Sequence, residues 1–152
     1  MLENCDLYIT DDKEEIFWFT TSFFAKSYNT QKKLINNFSL TKFSSDFDGD
    51  VPSEIISTLV WCYRTYLPDF EKELYQISVE LYTLLELIEN YSIIIQNEGL
   101  GEQHLLCLES MEDNEIWELA RRLANLILTT WGMEPFSFKG KIDLDSIGPE
   151  IF

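Results

Sequence analysis

Phe70, Leu74, Ile77, Leu81, Leu84, Ile88, Tyr91 and Ile95 follow one another by alternating fours and threes. That is the spacing of one face of a helix, and it predicts a long helix over 69–98. Both limits have a chemical reason: Pro68 cannot continue a preceding helix, Asp69 can cap a new one, and Gly99 supplies a left-handed stop. At 1.5 Å per residue such a helix is about 45 Å long, more than one layer of a small core requires.

Shorter elements flank it. Asp12 and Glu15 have capping-box spacing, and Ile16, Phe19 and Phe23, widened by Phe17, Trp18 and Phe24, predict a first helix up to about Lys26. A second, short helix over 30–38 would turn Leu34, Ile35 and Phe38 inward. Pro52 in a first turn, followed by Ile55, Ile56, Leu59, Val60, Tyr63, Tyr66 and Leu67, predicts a third helix that bends sharply into the long one at 67–68. A brief element is expected over 102–111. A last helix, capped by Asp113 and closed by Gly132, carries Ile116, Trp117, Leu119, Ala120, Leu123, Leu126, Ile127 and Trp131. Its alanines at 120 and 124 permit close packing, and Arg121 and Arg122 are expected on its outer side, paired with Glu115 or Glu118. Beyond it, residues 133–152 read as a C-terminal arm or small hairpin, since Phe136, Phe138, Ile142 and Leu144 alternate around Lys139-Gly140-Lys141. The expected fold is all-α: one domain over 1–152, four to six helices around the 69–98 helix.

On the side away from the seam, Glu71, Tyr75, Tyr82, Glu86, Glu89 and Ile93 form a second stripe of tyrosine and carboxylate. Either the back of the helix also meets protein, or this stripe receives a basic partner. Glu71, Tyr75, Tyr82, Glu86 and Glu89 are therefore the candidate partner-binding residues.

Charge sharpens that choice. The 152 residues hold 27 Asp plus Glu against 11 Lys plus Arg, a net charge of −16, with 45% hydrophobic and 14% aromatic residues. The apolar content belongs to a folded protein, and acidic residues outnumber basic ones in each third of the chain. A field of one sign repels nucleic acid and anionic membrane and attracts cationic proteins. Three cysteines, Cys5, Cys62 and Cys107, are odd in number and widely spaced, which suits free thiols in a reducing compartment. With an acidic start and no apolar run of membrane-spanning length, a cytoplasmic location is expected.

Catalytic signatures are missing. There is no phosphate loop, no Gly-x-Ser-x-Gly and no His-Glu-x-x-His, and His104 is the single histidine. Asp46, Asp48 and Asp50 resemble the start of a calcium loop, but Val51 and Ser57 stand where glycine and the bidentate glutamate would be needed. The expectation is no enzyme, no cofactor and no metal. In size, acidity and helical pattern the chain resembles the toxin-neutralising immunity proteins of bacteria, including those of contact-dependent inhibition systems; the stripe Glu71, Tyr75, Tyr82, Glu86, Glu89 is similar in kind to the acidic and tyrosine residues of helical colicin-nuclease immunity proteins. The resemblance implies a cognate basic toxin domain, a nuclease, bound by a protein that is a monomer or weak homodimer when free. A cytosolic chaperone for a secreted effector and an acidic nucleic-acid mimic are the alternatives.

Overall fold

The computed structural model describes residues 12–39, 51–97, 111–112, 114–138 and 142–143. Within them lie five helices with defined bounds: α1 (Lys13–Ala25), α2 (Tyr28–Asn37), α3 (Val51–Thr65), α4 (Lys72–Asn97) and α5 (Glu115–Trp131). Two short strands, β1 (Phe38–Ser39) and β2 (Ile142–Asp143), complete the description. The fold is all-α, with one hydrophobic core.

Local chemistry explains each boundary. Asp12 accepts the free amides of Glu14 and Glu15 at the start of α1, with both glutamates favourable beside the positive helix end. At Lys26 the backbone turns extended, and Ser27 at once caps α2 through the amide of Thr30. That cap starts α2 two residues earlier than the sequence pattern suggests. α3 stops three residues before Pro68, whose ring disfavours helical geometry in the residue ahead of it. α4 then starts at Lys72 rather than beside Asp69. The Phe70 amide donates to the Pro68 carbonyl at 3.0 Å, and the first helical bond across this start runs from Tyr75 to Glu71. Phe70 is held in an aromatic cluster with Phe17 and Trp131, at 5.5 and 5.1 Å, and this anchoring delays the helix. The α5 cap is Asn114, which accepts from Ile116 and Trp117, and Gly132 closes the helix at φ 79°.

The middle of the core is α1. Ile16, Phe17, Phe19, Phe23 and Phe24 are fully buried, and so, with 0–1% exposure, are Thr20, Thr21 and Ser22. Such burial on all sides defines a helix enclosed by others. α3 and α5 pack on it, and α4 lies across α3 and α5. Because Phe70 at the start of α4 meets Trp131 at the end of α5, these two helices run antiparallel. Ala120 and Ala124 are both buried, giving α5 the close approach that small residues permit.

The C-terminal segment crosses α1. The Trp18 indole donates to the Glu134 carbonyl at 2.7 Å, and the Phe136 amide donates to the Ser22 hydroxyl at 2.8 Å. Phe136 and Phe138 pack edge-on against Phe19, at 5.2 and 5.0 Å. β2 then pairs in parallel with β1, Ile142 opposite Phe38 and Asp143 opposite Ser39. The described residues of 133–152 are thus fixed on α1 and beside β1, while Lys139-Gly140-Lys141 and Leu144 lie outside the described residues. A parallel pair needs a long crossover, here the whole α3 to α5 region, and aromatic anchoring on α1 supplies the reason.

Candidate functional site

α4 has three kinds of side. Ser78, Leu81, Leu85 and Ile88 are buried, and Leu74, Ile77 and Leu84 are partly so. The seam thus follows the expected one, with Leu85 taking the more enclosed place beside Leu84. Gln76, Glu80, Thr83, Leu87 and Asn90 face outward. The tyrosine and carboxylate stripe lies between these, on the flank toward α3.

That stripe divides. Tyr75 is 45% exposed and Glu71 is exposed, so its first part is open to solvent. Its later part is occupied by Arg64 of α3. Arg64 ion-pairs and hydrogen-bonds with Glu89, lies 3.7 Å from Glu86, and sits 5.5 Å from the centroid of the Tyr82 ring. Ser57 also donates to Glu89 at 3.2 Å. The Glu89 side chain is 22% exposed and that of Glu86 44%, so Glu89 is a structural partner first and Glu86 is the more open of the two. The Arg64 Nε is buried without a hydrogen-bond partner among the described residues. No feature of the α4 sequence announces this cation; it comes from the helical register of α3, where Arg64 follows the buried Val60 and Tyr63.

Tyr63 fixes that register. Its hydroxyl donates to the Ser78 carbonyl at 2.7 Å, tying α3 to the buried side of α4. Burial pushes the Tyr63 hydroxyl pKa up, although the bond to Ser78 opposes the shift. The neighbouring Cys62 thiol is pushed up to about 12 by burial, which keeps it protonated and unreactive at neutral pH.

On α5 the two arginines part company, and the expected pair of outer residues is corrected. Arg122 is outside, 3.9 Å from Glu118. Arg121 is buried: its Nε donates to Gln31 Oε1 at 3.0 Å and its guanidinium also to the Met111 carbonyl, while Glu118 lies 3.3 Å away. Gln31 in turn donates to the carbonyls of Phe23 and Phe24 at the end of α1. Burial lowers the Arg121 pKa and Glu118 counters it. The buried amide oxygen of Gln31 on α2, which needs a donor, explains the position; arginine on an apolar helix flank does not reveal it beforehand.

Between α4 and α5 an open groove of about 420 Å³ is lined by Val79, Glu80, Thr83, Leu84, Leu119 and Leu123. Leu87, Leu119 and Leu126 are 45–46% exposed along it or beside it. Leu119 and Leu126 fit the same helical rhythm as the core residues of α5, so periodicity alone places them inward. Among the described residues no group of three His, Cys, Asp or Glu has the geometry to hold a metal ion, and no helix is long and apolar enough to cross a membrane. The aspartates 46, 48 and 50, His104, Cys5 and Cys107 lie outside the described residues. Compared with protein-family models, with curated proteins and with solved structures, the chain matches none.

Proposed function

We propose that this chain is a stoichiometric binding protein that neutralises a basic protein partner, a cognate toxin domain with nuclease activity, by masking its active or substrate-binding surface. The observation that carries this reading is the surplus of carboxylates, a net charge of −16, on an ordered helical bundle. Cationic nucleases present a phosphate-binding surface to such a field, and electrostatic steering accelerates their capture. Glu71, Tyr75 and Glu86 offer solvent-facing carboxylates and an aromatic ring on one flank of α4. Tyrosine in such a position supplies contact area at small entropic cost, and carboxylates around it pair with Lys or Arg. Tyr82 and Glu89 contribute behind them by holding Arg64, which fixes the flank.

The test is capture of the tagged protein from its source cell, with mass identification of what co-purifies and an activity titration of that partner. The expected result is a basic nuclease domain at one to one, silenced at equimolar protein. Recovery of a stable homodimer with an unfolded secretion substrate would replace this reading with an effector chaperone. Capture of several unrelated nucleic-acid-binding proteins, all displaced by polyanion, would replace it with nucleic-acid mimicry.

A further inference from the structure

The open groove between α4 and α5 lies apart from the tyrosine flank, and its Leu84 and Leu123 back onto the core. Its floor is apolar, through Val79, Leu84, Leu119 and Leu123, and one wall carries the exposed carboxylate of Glu80. Leu87 and Leu126, each 46% exposed, extend the apolar surface past both ends. From Gln76 to Leu87 the α4 side runs about 16 Å at 1.5 Å per residue, three turns of an opposing helix. Two antiparallel helices with an open seam present the ridges into which a third helix packs.

Charge decides what that third helix is. The charged residues on the open sides of the two helices are Lys72, Glu73, Glu80 and Glu86 on α4, with Glu71 just ahead of it, and Glu115, Glu118 and Arg122 on α5. Arg122 is already beside Glu118, at 3.9 Å. A second copy of this chain would bring the same carboxylates, and another charge of −16, against them. A helix with leucine-like residues on one face and Lys or Arg on its flanks would bury the exposed leucines and neutralise Glu80.

We infer that the α4–α5 groove is a docking site for a basic amphipathic helix of the partner protein. This rests on the reading of the chain as a binder of a basic partner, and it specifies the structural element that partner inserts. The groove supplies apolar burial, which slows dissociation, while the carboxylates of the α4 flank speed the encounter.

The probe is a fluorescent synthetic peptide with leucines at helical spacing and lysines elsewhere, titrated with the full chain and followed by anisotropy. A scrambled peptide of the same composition, and hence the same charge, is the comparison. The amphipathic peptide is expected to bind on the order of tenfold tighter than the scrambled one. The L119S/L126S double variant, which changes half-exposed side chains and whose folding is checked by circular dichroism, should remove that advantage; E80K should weaken binding and flatten its dependence on salt. Equal affinity for the two peptides, or an unchanged preference in the double variant, would overturn the inference. So would a wild-type homodimer that L119S/L126S dissolves, because a second copy would then fill the groove. A co-purified basic partner held at full strength by L119S/L126S would overturn the groove assignment and leave the proposed function standing, whereas absence of any basic partner would remove the proposed function itself.

Discussion

α1 and α4 are both apolar helices, but they do opposite work. α1 has 13 residues, eight of them buried, and is enclosed by the rest of the molecule. α4 has 26 residues, yet its fully buried positions up to Asn90 are Ser78, Leu81, Leu85 and Ile88, all on one side. Length and regular spacing therefore mark the helix that spans the bundle, and apolar residues on every side mark the one it is built around. A helix with one buried side has the others open, so α4 carries the proposed binding surface, while the enclosed α1 carries stability.

Substitutions separate the two roles. Phe17 meets Tyr63, Phe70 and Trp131 with ring centroids 4.7, 5.5 and 5.7 Å away. Phe17→Ala should cost about 3–5 kcal/mol in urea unfolding, because the cavity lies among three other rings that come from separate parts of the chain. Leu87→Ala on the outer side of α4 should stay within about 0.5 kcal/mol. A large loss at Leu87 would mean that α4 has no free side.

The next effect belongs to the buried link from α5 through Gln31 of α2 to α1. Arg121→Met removes the donor to Gln31 and to the Met111 carbonyl and should cost about 1–3 kcal/mol, against about 0.5 or less for Arg122→Ala. Within α4 the same contrast recurs on a smaller scale. Glu89→Gln should cost about 1 kcal/mol by weakening the Arg64 pair, while Glu71→Gln, exposed just ahead of the helix, should leave the unfolding midpoint in place. In a binding assay the order is expected to reverse: charge reversal at Glu71 and Glu86 slows association and erodes its salt dependence, and Tyr75→Ala speeds dissociation.

The smallest effect near neutral pH is at Cys62. Its folded pKa of about 12 lies above the ordinary 9.0, so below pH 9 both states keep the proton and stability does not respond. Above pH 9 the unfolded chain releases the proton first, and stability falls as pH rises toward 12. Cys62→Ala should flatten that fall, and peptide mapping should find Cys62 unmodified by an alkylating reagent at pH 8 until the protein is unfolded.

The helices were legible because their signals are local. Asp12, Pro68 and Gly132 act within a few residues of where they stand, and the four-and-three rhythm survives any arrangement of neighbours. What the chain order conceals is which neighbour each side meets. Arg64 claims Glu89 across 25 positions, and Arg121 claims Gln31 across 90. Leu119 and Leu126 share the spacing of core residues, yet α5 is wider in apolar residues than α4 can cover, which leaves both nearly half exposed. The same holds for the C-terminal alternation. Its residues suit a hairpin as well as an arm until Phe19, Ser22 and Phe38 provide the surface that fixes Phe136 and Phe138.

The proposed division of labour between α1 and α4 is tested most directly by hydrogen exchange on the free protein and on its complex with the proposed basic partner. New protection should appear in peptides from α4 over 72–90 and from α5 over 115–126, with α1 equally protected in both states. Protection gained in α2 and the C-terminal arm, with α4 and α5 unchanged, would contradict it.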